Sequence, residues 1–173
     1  MQSRAAELAR YLWYVIVMKT TWPLPDWQPI MRFRGFIAKP AFAKTGKNFQ
    51  ISSDVTINFP GNITVGNDVY IAKGSWLNAL EKITLESEVM LAPYTIIATG
   101  NHKLHEGSYR FGPSERQAVK ICKGAWIGAG CKILPGVTVN RSSCCAAGSV
   151  VNNDVPAGML VGGVPAKVIN TAS

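Results

Sequence analysis

From Ile121 onward the chain repeats itself every six residues: Ile121, Ile127, Ile133, Val139, Cys145 and Val151 form one column, and Ala125, Cys131, Val137, Ser143, Ser149 and Val155 form a second. An apolar residue at every sixth position with a small one four places on matches neither the 3.6-residue period of a helix nor the two-residue alternation of a strand. A short fixed repeat of this kind specifies a stacked solenoid, each hexad being one flat face of a coil, a short strand followed by a tight corner. Aliphatic side chains point inward and the small neighbours let the chain turn. The same register runs upstream through Ile51, Ile57, Val65, Ile71, Leu77, Leu85, Leu91 and Ile97.

Two of the upstream steps are eight residues long, Ile57 to Val65 and Leu77 to Leu85, and they fall three hexads apart. A triangular coil places both extensions at one recurring corner. The next recurrence follows Ile97, where the spacing to Ile121 jumps to 24. An excursion of roughly 18 residues, at about 100 to 120, therefore leaves the stack at the edge already loosened twice; a loop longer than about 15 residues in a compact repeat is more often functional than decorative. It contains both histidines of the protein, His102 and His105.

At 173 residues the chain fits one domain, and about 70% of the surface of a chain this size is buried on folding, enough for a core without staples. Eighteen basic against ten acidic residues give +8, spread along the chain rather than gathered into one run. Such a surface suits simple solvation, and equally attraction of a phosphorylated cofactor, an anionic glycan or an acidic membrane face. Nucleic acid is not an expected partner, because no zinc finger, basic helix or sheet with interleaved aromatics is present. Cys122, Cys131, Cys144 and Cys145 lack any C-x-x-C spacing, and no secretory signal with a cleavage site precedes them. A reducing cytoplasm is the expected location, with Cys131 and Cys145 packing as small hydrophobes in the hexads and no metal site.

Residues 1–48 follow different rules. Arg4 to Met18 has no Pro or Gly and reads as a helix beginning near Ser3. Its apolar run, Tyr11 to Met18, is far shorter than the roughly 20 residues needed to cross a bilayer. The expectation is a cap packed on the open end of the solenoid, shielding its unpaired strand edges. The alternative is a shallow contact with the inner face of a membrane, through Arg10, Lys19, Arg32 and Arg34 alongside Trp13, Trp22 and Trp27. Trp22 to Pro29 holds three prolines and is expected as an ordered turn, after which MRFRGF leads into the coils. The organisation read from the sequence is thus 1–48 helix and Pro-rich lead-in, 49–156 solenoid, and 157–173 C-terminal tail.

The hexads, the T-G-N-H string at Thr99 to His102 and the closing V-G-G-V-P-A-K-V-I at Val161 to Ile169 resemble the hexapeptide-repeat acyltransferases, over roughly residues 49 to 170. The stretch from SWLNALEKIT to IIATGNH is similar to the branch that O-acetylates sugars and exopolysaccharides. The resemblance implies an all-β left-handed parallel β-helix, with an N-terminal helical cap and a long extruded loop. It also implies acetyl-CoA as acyl donor, a sugar, polysaccharide or glycolipid hydroxyl as acceptor, and a homotrimer with the cofactor groove between neighbours.

A sugar hydroxyl is a poor nucleophile at neutral pH, so a positioned base must take its proton as it attacks a thioester; imidazole, with a free pKa near 6.5, suits that task. In the family the histidine directly follows a T-G or T-G-x turn, which the resemblance carries onto His102 as general base. His105 lacks that match and reads as a solvated loop residue or a substrate contact. The acceptor that orients the base is left open among Asp26, Asp54, Glu81 and Glu106. Asn78 and Glu81, at the loosened corner one coil earlier, are candidates for acceptor hydroxyls by analogy with the family's sugar site, and equally plain turn residues. Carried over in the same way, Trp126 flanks the pantetheine arm, Ala129 and Ala147 are small residues beside it, Asn152 lies on the groove edge and Lys167 meets the CoA phosphates. Relatives often have Thr-Lys where this chain has Asn152 and Asn153.

Three rival readings stand beside this one. A γ-type carbonic anhydrase shares such a solenoid but needs three histidines around zinc, and two histidines three residues apart do not supply that set. An amine or serine-type acceptor, or an inactive hexapeptide scaffold that binds no CoA, would use the same repeats.

Overall fold

The computed structural model describes residues 3–172. Its body is a triangular left-handed parallel β-helix of about six turns. The first sheet stacks Lys44–Thr45, Ile63–Val65, Ile83–Leu85, Val119–Ile121 and Thr138–Val139. The second stacks Gln50–Ile51, Tyr70–Ile71, Met90–Leu91, Trp126–Ile127, Cys144–Cys145 and Met159–Gly163, with Ala166–Thr171 returning antiparallel on its end. The third stacks Thr56–Asn58, Trp76–Asn78, Ile96–Ala98, Lys132–Ile133 and Val150–Val151.

The single apolar column of the sequence winds around the triangle and separates into three internal ladders. Ile51, Ile71, Leu91, Ile127, Cys145 and Val161 stack on the second sheet. Ile57, Leu77, Ile97, Ile133 and Val151 stack on the third, and Val65, Leu85, Ile121 and Val139 on the first. All are buried, and each full burial of such a side chain stabilises by about 1.5–3 kcal/mol. The second column closes the corners: Ala125, Cys131, Val137, Ser143 and Ser149 each donate their N–H to the carbonyl three residues back. The hydroxyl of Ser149 bonds the same Ala146 carbonyl at 2.7 Å, and that of Ser143 the Asn140 carbonyl, so these buried serines leave no polar group unpaired. Cys131 and Cys145 lie in this core as expected.

The helix α1 spans Arg4–Thr21 and is capped by Ser3, whose Oγ accepts from the Ala6 N–H at 3.2 Å. Its buried residues Tyr14, Val17, Met18 and Thr21 follow helical spacing. Tyr14 is fixed to the first coil by its hydroxyl, which donates to the Val55 carbonyl at 2.7 Å, and by an edge-on contact with Phe42. The cap expectation holds.

The lead-in does not. Only Trp22–Trp27 is a turn; Gln28–Ala38 is a second helix, α2, followed by a 3₁₀ turn at Lys39–Ala41. Pro29 sits in the first turn of α2, where its missing N–H costs nothing. The buried stripe is Met31, Arg34, Gly35 and Ala38, a helical spacing disguised by a charge and a glycine. Gly35 is required: a Cβ there would lie 2.0 Å from the Phe49 carbonyl oxygen. Arg34 is fully buried and cannot face a membrane. Its guanidinium donates to Asp26 (2.9 Å), the Thr21 hydroxyl (3.0 Å) and the carbonyls of Ile51 (2.9 Å), Thr21 and Leu24 (both 3.2 Å). This one side chain fastens both helices and their connecting turn to the first coil.

Candidate active site

The corner from the third sheet to the first is where the chain leaves its repeat. In the first coil it holds Phe59 in the left-handed region (φ 58°) and a 3₁₀ turn at Pro60–Asn62. In the second it is lengthened again between Asn78 and Ile83. In the third it becomes an antiparallel hairpin, Gly100–His102 against Ser114–Arg116, with His102 opposite Ser114. All three departures therefore share one corner, as the spacing required.

Thr99 at the hairpin root is fully buried. Its Oγ1 accepts from the Glu81 N–H at 2.8 Å and donates to the Asn78 carbonyl at 2.9 Å. The Gln117 N–H closes the neck by donating to the Thr99 carbonyl at 2.9 Å. Asn78 pairs in register with Ala98. Asn78, Glu81 and the base of the histidine hairpin are thereby drawn to one edge by a threonine whose positioning role the sequence reading missed. Its only signal was the placement of a small polar residue immediately before G-N-H.

His102 itself is exposed on the hairpin, and no described residue hydrogen-bonds its ring. None of the four carboxylates proposed as its orienting partner bonds its ring. Asp26 holds Arg34 and the Ser53 N–H, and Asp54 accepts from the Gly74 N–H at 3.1 Å. Glu81 accepts from the Lys82 N–H, and Glu106 stands at the hairpin tip 3.9 Å from His105 Nε2. His105 exchanges both backbone hydrogen bonds with Ser108, which shapes that tip. Lys103, paired with Glu115 at 3.4 Å, ties the two sides of the hairpin. No three potential metal ligands gather among the described residues.

The five residues considered for CoA divide into two groups. Trp126 points outward from the second sheet, in register with Met90 and Cys144. Ala129 and Ala147 are exposed at the following corner, one directly above the other, with the Gly148 N–H donating to the Ala129 carbonyl at 2.8 Å. A Cβ on Gly128 would meet the Ala147 nitrogen at 2.7 Å, so coils at this corner are closely stacked and present backbone rather than side chain. Asn152 lies one face away, on the histidine corner two coils beyond the hairpin. Lys167, on the returning C-terminal strand, lines a groove of about 290 Å³ with Asn153, Pro156 and Val161. The five residues thus lie on two neighbouring corners of the prism, and a groove is present beside Lys167.

No protein-family model matches the chain. It is 30% identical over 133 residues to a putative acetyltransferase of Dictyostelium discoideum, covering 77% of this chain and 70% of that protein. It is 29% identical over 136 residues to the galactoside O-acetyltransferase of Escherichia coli K12, covering 79% and 67%. Against the latter and two further curated relatives, this chain spans 62–67% of their length. Among solved structures, a maltose O-acetyltransferase from Clostridium difficile 630 superposes with TM-score 0.79 at 26% identity, covering 99% of this chain and 90% of that one. A hexapeptide-repeat acetyltransferase from Vibrio cholerae, solved with acetyl coenzyme A, shares the fold with TM-score 0.83 at 24% identity, covering 99% and 91%. The β-helix of hexads is the fold this chain shares with these solved acetyltransferases. The chain belongs to the hexapeptide-repeat acetyltransferase family.

Proposed function

We propose that this protein is an O-acetyltransferase that moves an acetyl group from acetyl-CoA to a hydroxyl of a sugar, polysaccharide or glycolipid intermediate, with His102 as general base. The observation that carries the reading is His102 held out from the stack on a hairpin whose root, Thr99, also fixes Asn78 and Glu81. The names of the galactoside and maltose relatives support a sugar acceptor, and the acetyl-CoA complex of the same fold supports the donor.

The residues present fit such a donor: the exposed Trp126 indole offers a flat apolar wall, Ala129 and Ala147 leave backbone groups open to a long arm, and Lys167 supplies a cation for phosphate. When bound, acetyl-CoA supplies a thioester carbonyl. His102, exposed on the hairpin, takes the proton of the acceptor hydroxyl as that oxygen becomes a nucleophile, and returns a proton to the departing thiolate. Asn78 and Glu81 orient the acceptor's other hydroxyls, with His105 at the outer edge. No side chain becomes acylated, so trapping an acetylated cysteine or serine during turnover would contradict the mechanism.

The working unit is a homotrimer. His102 has no orienting partner among the described residues, and the residues assigned to the donor lie on different corners of one triangular prism. Three-fold packing sets one corner of a subunit against another corner of its neighbour and completes both, burying Met90, Trp126 and Trp76 between subunits. The four free thiols suit the reducing cytoplasm.

The test is acetyl-CoA consumption across a panel of sugars, glycolipid intermediates and amines, with calorimetry for CoA binding. His102→Ala should lose about 10²- to 10⁴-fold in rate while keeping CoA affinity. Absence of CoA binding would identify an inactive scaffold, and preference for an amine would move the acceptor class. Light scattering should give three times the 18.7 kDa chain mass.

A further inference from the structure

The helical cap leaves an apolar outer face uncovered. Leu8, Tyr11, Leu12, Trp13 and Ile16 of α1, Trp22, Leu24 and Trp27 of the turn, and Phe33 and Phe36 of α2 are all exposed, with Trp22 at 64% and Trp27 and Phe36 at 67%. Single exposed apolar side chains need no explanation; ten of them on one helical hairpin do. Trp13 spans the two helices, its indole N–H donating to the Ile37 carbonyl at 2.8 Å, so these residues ride on one rigid hairpin. Arg34 in turn locks that hairpin to the first coil.

Charge selects what covers this face. Residues 1–48 hold eight basic and two acidic residues, six of the chain's eight net positive charges. The basic residues form no single run, yet most of the net charge falls on this segment. With the internal Arg34–Asp26 pair set aside, and with Arg10 turned inward to donate to the Phe42 carbonyl at 3.2 Å, α1 and α2 with the flanking Lys39 present Arg4, Lys19, Arg32 and Lys39 against Glu7 alone. Lys39 lies over the Phe36 ring, 5.6 Å from its centroid, so cation and aromatic occupy the same patch. Tryptophan, phenylalanine and leucine interleaved with lysine and arginine on a short helix match the interface of an anionic bilayer. A second copy of the chain bringing the same surplus would meet it with like-charge repulsion.

We infer that the α1–α2 cap docks on an anionic lipid bilayer, its aromatic residues entering the headgroup layer and its basic residues facing the lipid phosphates. No described helix is long and apolar enough to cross a membrane, and the contact is interfacial. Coils stack about 4.8 Å apart. The histidine hairpin leaves the third coil and the cap packs on the first, so His102 emerges on the order of 10 Å along the stack from the cap.

Flotation with phosphatidylcholine vesicles, with and without 30% phosphatidylglycerol, tests this on the full chain. The protein should float with the anionic vesicles at low salt, be released as salt rises, and ignore the neutral ones. Lys19→Glu with Arg32→Glu should lower partitioning by about 30-fold or more, since each basic residue near such a surface contributes on the order of a fivefold factor. Trp22→Ser with Trp27→Ser and Phe36→Ser should lower it by at least tenfold with the circular dichroism melt retained. The inference fails if wild type does not bind anionic vesicles at low salt, or if neither set of substitutions weakens binding. It fails equally if light scattering shows the Ser variant losing mass relative to wild type, which would make the face a contact between copies. CoA binding by the same variants is independent of the outcome, so failure here leaves the acetyltransferase reading to its own test.

Discussion

Replacing Arg34 by Met tests whether one buried guanidinium holds the cap in place. The side chain is fully buried and makes five hydrogen bonds, to a carboxylate, a hydroxyl and three carbonyls. Taken singly, charged hydrogen bonds of about 1.5–3 kcal/mol would add to an implausible total, because water reoccupies part of the site and Met restores dispersion contacts. The informative quantity is what is left unpaired: the carbonyls of buried Ile51 and Thr21, at about 1–3 kcal/mol each, and an Asp26 carboxylate that is only 29% exposed. Removing one partner of a buried ion pair costs about 3–5 kcal/mol, and the partly hydrated Asp26 argues for the middle of that range. The expected loss is about 4 kcal/mol, which for a chain this long lowers Tm by roughly 8–16 °C. Hydrogen exchange should show α1 and α2 losing protection first while the coil strands between Tyr70 and Val151 retain theirs, because neighbouring coils support one another. Adding Asp26→Asn should make matters no worse, since it removes the stranded charge. A loss below 1 kcal/mol with the cap amides still protected would refute the assignment of Arg34 as the fastening between cap and solenoid.

Three further outcomes follow from named contacts. Thr99→Val removes the hydroxyl that serves Glu81 and Asn78; it should cost about 1–3 kcal/mol in stability and raise the acceptor KM, with the KM for acetyl-CoA unchanged in steady-state assays. Trp126→Ala should raise the KM for acetyl-CoA several-fold at near-constant acceptor KM, and an unchanged value would remove the indole from the donor site. Glu86 is held below the usual carboxylate range by its hydrogen bond to Lys120 and then by the Lys123 N–H. A carboxylate with a depressed folded-state pKa contributes stability above its unfolded pKa, near 4.3, and loses it as pH falls through the folded value. The melting difference between wild type and Glu86→Gln, worth less than about 1 kcal/mol for so accessible a pair, should therefore be present at pH 6 and shrink as the pH falls below the unfolded pKa. A difference that grows on acidification would contradict the sign.

What could be read in the sequence follows from which interactions repeat. Every coil is built by the same small set of contacts, so Ile121 to Val151 state the fold six times over, and the upstream departures locate one corner by arithmetic alone. Helix α2 could not be read this way because two of its four buried positions, Arg34 and Gly35, carry residues that normally mark surface and breakage. Each is there for a partner far along the chain: Gly35 for the Phe49 backbone, Arg34 for Asp26 and Ile51. The site shows the same division. The candidate base His102 stands out because it lies off the repeat, whereas Thr99 does not, because its bonds reach back 18 and 21 residues to a turn that follows no hexad rule. The separation of Ala129 and Ala147 from Asn152 follows from the hexad count, since Ala147 lies one 18-residue coil after Ala129 and Asn152 five residues further on, whereas the place of Lys167, on a returning strand beyond the last hexad, does not. Repetition builds the prism and fixes where the chain must leave it. The candidate base stands at one of those departures, where close stacking no longer dictates each side chain, and there long-range contacts of single residues such as Thr99 set the shape of the corner.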